Sequence, residues 1–137
     1  QLGGQYTFGE YSVGGVYELT SSNQKGVSAT KDFDQSQATY AVTGAYKSGP
    51  HEIQIRYAVA ENVTGSTGTA TNTLKTDTGA TQFGLMYAYE FNKSVKFVSS
   101  YTNLANAKNA SFISGSGFAV DTGATMGQFA IGLSAAF

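Results

Sequence analysis

The sequence predicts an all-β chain, an antiparallel transmembrane β-barrel segment of about seven strands. Apolar and polar residues alternate in runs of about ten, the period that separates the two faces of a strand. Charged residues are only 12% of the chain, against about 25% in an ordinary soluble protein. The closing run alternates up to its last residue: Phe129, Ile131, Leu133, Ala135 and Phe137 on one face, Gln128, Ala130, Gly132, Ser134 and Ala136 on the other. A soluble protein rarely needs a bulky aromatic at the end of a strand. A closing barrel strand does, because it faces lipid along its whole length.

Each run supports the same reading. In the first, Gly4 to Phe8, Tyr6 and Phe8 oppose Gln5 and Thr7, and Gly9-Glu10 is a tight turn. In the second, Tyr11, Val13, Gly15, Tyr17 and Leu19 alternate with Ser12, Gly14, Val16, Glu18 and Thr20. Residues 21–36 are polar and read as a long loop. Ala38, Tyr40, Val42, Gly44 and Tyr46 then alternate with Thr39, Ala41, Thr43, Ala45 and Lys47. Ser48-Gly49-Pro50 is a second tight turn and holds the sole proline. Ile53, Ile55, Tyr57 and Val59 alternate with Glu52, Gln54, Arg56, Ala58 and Ala60, and residues 62–78 form a second long loop. The clearest run sets Phe83, Leu85, Tyr87, Tyr89 and Phe91 against Gln82, Gly84, Met86, Ala88 and Glu90. After the turn Asn92-Lys93-Ser94, Val95, Phe97, Ser99 and Tyr101 alternate with Lys96, Val98, Ser100 and Thr102. A third long loop covers roughly 105–122 and leads to the terminal strand.

Short and long connections therefore alternate, as in outer-membrane barrels with short periplasmic turns and long extracellular loops. Strands of about 10 residues, tilted near 40°, cover the roughly 25 Å apolar band. Phe8, Tyr11, Tyr46, Tyr89, Phe91, Phe97 and Phe137 fall near the short turns, and Tyr17, Tyr40 and Tyr101 nearer the long loops. Two such levels are expected of aromatic girdles at lipid headgroups. The competing architecture is a soluble β-sandwich or lipocalin with the apolar face inside. Its outer face would carry many Lys and Glu, and this one does not.

The 137 residues make one segment, 1–137. A net charge of −1 gives no electrostatic case for nucleic acid. Without cysteine, thiolate and disulfide chemistry are excluded. No apolar run is long enough for a membrane helix. No secretory leader is legible, so an exported chain is expected to have lost it. About seven strands put the two chain ends on opposite sides and leave two sheet edges open, which lipid does not tolerate. The expectation is that an N-terminal portion of the barrel precedes Gln1.

Residues 80–102 carry a more specific pattern. Ala80-Thr81-Gln82-Phe83-Gly84-Leu85-Met86-Tyr87-Ala88-Tyr89, then Asn92-Lys93-Ser94, then Tyr101-Thr102, resembles the Gram-negative general porin family. The ending Ile131-Gly132-Leu133 followed by Phe137 is similar to the end of those porins. The opening Gly4-Gln5-Tyr6-Thr7-Phe8-Gly9 looks like an internal porin hairpin. Two departures place the chain away from the best-known branches. The turn reads Asn92-Lys93-Ser94-Val95 where an Arg-Thr pair is more usual, and Ala135-Ala136 stand where bulkier or basic residues are common. The resemblance implies the C-terminal half of a roughly sixteen-stranded up-and-down barrel. It also implies a homotrimer in the outer membrane, in contact with lipid and lipopolysaccharide, that passes small hydrophilic solutes and ions. The barrel-assembly machinery would read the terminal aromatic strand, here Phe137 with Leu133, Ile131 and Phe129 on its face. The loop that narrows family pores would belong to the preceding half.

With the apolar set facing lipid, the alternate set lines the lumen. It is mostly neutral: Gln54, Gln82, Gln128, Thr39, Thr43, Ser100 and Thr102. Arg56 is the exception, roughly 12 Å above a short turn. By resemblance that is the depth of the basic constriction wall, where a guanidinium favours anions; the competing role is an ion pair with a wall carboxylate. Lys47, Glu90 and Lys96 face inward near the periplasmic mouth, and their opposite signs suggest mutual pairing. Glu18 lies higher. Asp32, Asp34, Asp77 and Asp121 fall in the long loops, where carboxylates can hold Ca²⁺ weakly or bridge to lipopolysaccharide. Their spacing matches no dedicated calcium loop, so no cofactor or metal site is expected. Asn62-Val63-Thr64 and Asn109-Ala110-Ser111 match the glycosylation tripeptide, a chance match in a bacterial product.

Two other functional classes compete with a passive channel. An outer-membrane barrel enzyme needs a histidine beside a serine, and the sole histidine, His51, follows Pro50 at a turn with no inward serine clearly in reach. A structural or adhesive outer-membrane β protein, or a sheet fragment that self-associates, would use open edges of Thr/Asn/Gly-rich strands.

Overall fold

In a computed structural model the chain forms one open antiparallel sheet. It describes residues 1–28, 31–67, 76–113 and 121–135, with 24–28, 31–33 and 66–67 described by their backbone. The strands are β1 (Leu2–Phe8), β2 (Tyr11–Ser28), β3 (Lys31–Ser48), β4 (His51–Ala60), β5 (Thr64–Thr67), β6 (Ala80–Asn92), β7 (Val95–Asn106) and β8 (Thr125–Ala135). Their order is β1-β2-β3-β4-β6-β7-β8, and β5 pairs with the far end of β3. Among the described residues β1 and β8 do not pair with each other, and each carries an open edge.

The short connections form where glycine or an Asx side chain permits it. Gly9 and Gly49 adopt positive φ, 60° and 54°, between Phe8 and Tyr11 and between Ser48 and His51. The third turn uses Asn92, whose Oδ1 accepts from the Ser94 and Val95 amides at 2.9 and 3.0 Å. The Lys47 amide donates to the Glu10 carbonyl and the Glu90 amide to the Pro50 carbonyl, which locks neighbouring hairpins in register.

Register places every apolar set on one face. Tyr11 is opposite Tyr46, Tyr46 opposite Ile53, and Ile53 opposite Tyr87. Ile55 lies opposite Leu85, Leu85 opposite Tyr101, and Tyr101 opposite Phe129. This face is uncovered: Leu85 is 43% exposed, Ile55 49%, Phe129 69% and Leu133 71%. The buried apolar residues among those described are Ala41, Ala58, Ala80, Ala88, Leu104 and Ala110. The first five lie in strands, on the opposite face, where alanine and glycine let the wall curl inward. Side chains converge on the inner side of a curled sheet and splay on the outer one. The small-polar face is therefore the recessed side, and no apolar core exists among the described residues.

Three expectations about connections are corrected. The stretch 21–36 is not a loop in its described residues, because β2 and β3 run through 21–28 and 31–36 as a ladder of 18-residue strands. Ladder hydrogen bonds use the backbone, so a polar stretch with no apolar period extends as readily as an apolar one. Asp34 consequently sits in β3 opposite Asn23 and Ser66, and Asp32 is in β3 as well. Within 62–78, Thr64–Thr67 forms β5, giving eight strands where about seven were expected. Gly65 makes that pairing close: at φ 117°, a Cβ there would lie 2.1 Å from the Asp34 carbonyl oxygen. The third connection keeps its expected length but lies two residues later, since β7 runs to Asn106 and β8 begins at Thr125. Phe137 lies outside the described residues.

Candidate channel wall

The recessed face carries two distinct sets of polar groups. Near the short turns, β3, β4, β6 and β7 bring four charges together. Lys47 Nζ lies 3.2 Å from Glu90 Oε1, Lys96 Nζ 2.9 Å from Glu52 Oε2, and Lys96 Nζ 3.8 Å from Glu90 Oε1. Gln54 Nε2 also donates to Glu52. Two cations and two anions compensate each other, so this end of the wall has little net field. Glu10, in the first turn, accepts from Ser48 Oγ at 2.8 Å.

Lys47, Glu90 and Lys96 were expected to meet. Glu52 was not singled out, yet it holds the shortest ion pair and is the least exposed member, at 16%. The missing signal is lateral. Glu52 lies opposite Lys47 on one side and Ala88 on the other, and Glu90 is opposite Lys96. That adjacency follows from hairpin register, which no single strand's pattern displays.

Arg56 stands higher on the same face, between Thr43 on β3 and Gly84 on β6. Its side chain is exposed and, among the described residues, makes no ion pair. The alternative of a structural pair with a wall carboxylate is not realised among the described residues. A Cβ at Gly84 would make an ordinary van der Waals contact with Arg56 Cβ, at 3.8 Å. Two grooves in the wall share Arg56. One runs toward the turns past Val16, Thr43, Gln54 and Thr102, and the other runs toward the loops past Thr39, Ala58, Gln82 and Leu104.

The remaining wall residues are spread out. Glu18 is opposite Thr39 and accepts from Thr20 Oγ1 at 3.4 Å. Gln82 lies between Ala58 and Leu104, and Gln128 opposite Thr102.

Aromatic residues on the outer face form runs near the short turns. Tyr6, Phe8, Tyr11 and Tyr46 follow one another at centroid distances of 5.8, 5.7 and 4.9 Å. Tyr89 contacts Phe91 at 5.1 Å and His51 at 5.0 Å. Phe97 lies opposite Tyr89 and Leu133. Toward the loops Tyr17 is opposite Tyr40, whereas Tyr101 lies between Leu85 and Phe129. His51 itself is on this outer face, its Nδ1 hydrogen-bonded to the Tyr87 hydroxyl at 2.8 Å.

The loop end is built by asparagines. Asn62 Oδ1 accepts from the Thr78 and Gly79 amides at 2.8 and 3.0 Å. Asn109 Nδ2 donates to the Thr76 carbonyl, and its amide to the Asp77 carbonyl. Both tripeptide asparagines thus hold the backbone of the β4–β6 connection. Asp77, at φ 61°, and Asp121 lie in connections, and among the described residues no group of three or more His, Asp and Glu is placed to hold a metal.

Asn106 ties the β7–β8 connection down. Its Nδ2 donates to the Phe112 and Ala124 carbonyls at 3.0 and 3.1 Å, and its Oδ1 accepts from the Phe112 amide at 2.9 Å. Ala110 is buried and Phe112 half-buried, and Phe112 and Ile113 share the upper groove with Arg56, Gln82 and Leu104. The resemblance put a narrowing loop in a preceding half; here Phe112 and Ile113 of the β7–β8 connection line a groove of the recessed face.

Comparison of the chain with protein-family models, with characterised proteins and with solved structures finds no match.

Proposed function

We propose that this chain is part of the wall of an outer-membrane porin that lets small hydrophilic solutes and ions diffuse passively. The carrying observation is the division of one sheet into an uncovered apolar face and a recessed small-polar face with a guanidinium that makes no ion pair among the described residues. Burying a large apolar side chain is worth roughly 1.5–3 kcal/mol. Lipid supplies that to Leu85, Ile55, Phe129 and Leu133 where the chain itself does not. Water fills the other side, meeting neutral hydrogen-bonding groups that bind solutes weakly. The open edges of β1 and β8 call for further strands to close the barrel, since each unpaired backbone group in hydrocarbon costs several kcal/mol. The short turns and the C-terminal end of the last strand face the periplasm, and the long β2–β3 hairpin and the other connections face outside. Assembly into a homotrimer, and recognition of β8 by the barrel-assembly machinery, belong to the same reading. So does contact with lipopolysaccharide.

With the mouth charges compensated, Arg56 sets selectivity. In planar bilayers under a KCl gradient, Arg56→Ala is expected to move the reversal potential toward the cation side. An unchanged reversal potential removes Arg56 from this role, and no conductance from folded protein removes the channel. No catalysis is assigned: ester hydrolysis abolished by His51→Ala would contradict that.

The open edges also favour a second reading, a structural or adhesive sheet that grows by edge pairing. Native mass measurement separates the two. Closed particles of fixed size support the channel, and edge-grown polymers of indefinite length support the sheet.

A further inference from the structure

Arg56 and the β7–β8 connection meet in one groove, and their chemistries are complementary to a single class of solute. The guanidinium is exposed and unpaired among the described residues, so its charge is available. On the loop side the groove is walled by Leu104, Phe112, Ile113 and Ala58, with Gln82 and Thr39 as neutral hydrogen-bonding groups. Ile113 is 54% exposed, an apolar side chain of a connection beside the recessed face. A wall meant for water alone has no use for it. The placement is held rather than incidental: Asn106 makes three hydrogen bonds across the connection, and Gly123 and Ala124 close its base.

We propose that this groove is a solute-binding site for organic carboxylates with an apolar or aromatic body. The carboxylate pairs with Arg56, whose planar fork matches it. The body lies against Phe112, Ile113 and Leu104 and leaves water. A small inorganic anion uses only the cation, and an uncharged apolar solute uses only the wall, so neither is held as well. The site rests on the channel reading for its consequence, which is selective slowing of such solutes in transit. Its existence as a binding site is independent of conductance.

The test pairs benzoate with acetate, which share a carboxylate and differ in the body. In detergent-solubilised or bilayer-embedded full-length protein, saturation-transfer NMR gives the two affinities, and block of KCl current gives a second readout. Benzoate is expected to bind about tenfold more tightly than acetate. Phe112→Ala and, separately, Ile113→Ala are expected to shrink that ratio, whereas Arg56→Gln weakens both ligands together. Restoration of the ratio by Phe112→Tyr separates lost contact from a disturbed connection. Equal binding of benzoate and acetate overturns the site, as does a ratio indifferent to both loop substitutions. Benzoate preference in NMR with no KCl current in any preparation keeps the site and overturns the channel.

Discussion

At the scale of single residues, the wall is governed by which charges are spent on each other. Glu52 receives both Lys96 and Gln54, and removing its charge leaves Lys96 with the longer Glu90 contact alone. Glu52→Gln is expected to destabilise the folded sheet by about 1 kcal/mol, the scale of a partly exposed pair. It should also make the turn-side mouth net positive. Urea unfolding in lipid vesicles reads the first effect and reversal potential the second, shifted toward anions. A double-mutant cycle with Lys96→Met checks that the loss is a coupling between the two side chains. Arg56 is the converse case. The selectivity role proposed for it needs no partner, so Arg56→Ala is expected to change permeation while leaving stability within about 0.5 kcal/mol.

At the scale of elements, the strands were legible wherever one face is apolar. Phe83 to Phe91 and Phe129 to Leu133 announce their faces by period, and Gly9 and Gly49 announce their turns. The extension of β2 and β3 through residues 21–36 was not legible, because Ser, Gln and Asn give a water-exposed ladder no period to follow. β5 was hidden for the same reason and depends on Gly65. Gly65→Ala is expected to release β5 from β3, seen as faster amide exchange at Ser66, with the rest of the sheet unchanged. The seat of Phe112 and Ile113 in the upper groove was equally hidden, since it rests on hydrogen bonds from Asn106, from Asn109 and between connection backbones rather than on a pattern. Asn106→Ala leaves the Phe112 backbone groups without these partners, at about 1–3 kcal/mol locally. The expected result is lost exchange protection at the Phe112 amide and a larger single-channel conductance.

For the whole molecule, one asymmetry organises everything: bulky apolar groups on the outer face, small and polar groups on the recessed one. A charge placed on each face should therefore have unequal cost. Leu85→Lys is expected to destabilise the protein in lipid by about 2–4 kcal/mol, while Thr102→Lys on the recessed face costs under about 1 kcal/mol. The most direct measurement of this asymmetry uses the absence of native cysteine. Single cysteines from Gln82 to Glu90 along β6, spin-labelled in bilayers, report accessibility to oxygen from lipid and to a nickel chelate from water. The expected result is strict alternation, with positions 83, 85 and 87 open to oxygen and 82, 84, 86 and 88 open to the chelate. Inverted alternation, or positions 83, 85 and 87 closed to both reagents in a water-soluble particle, would contradict the orientation on which the proposed channel depends.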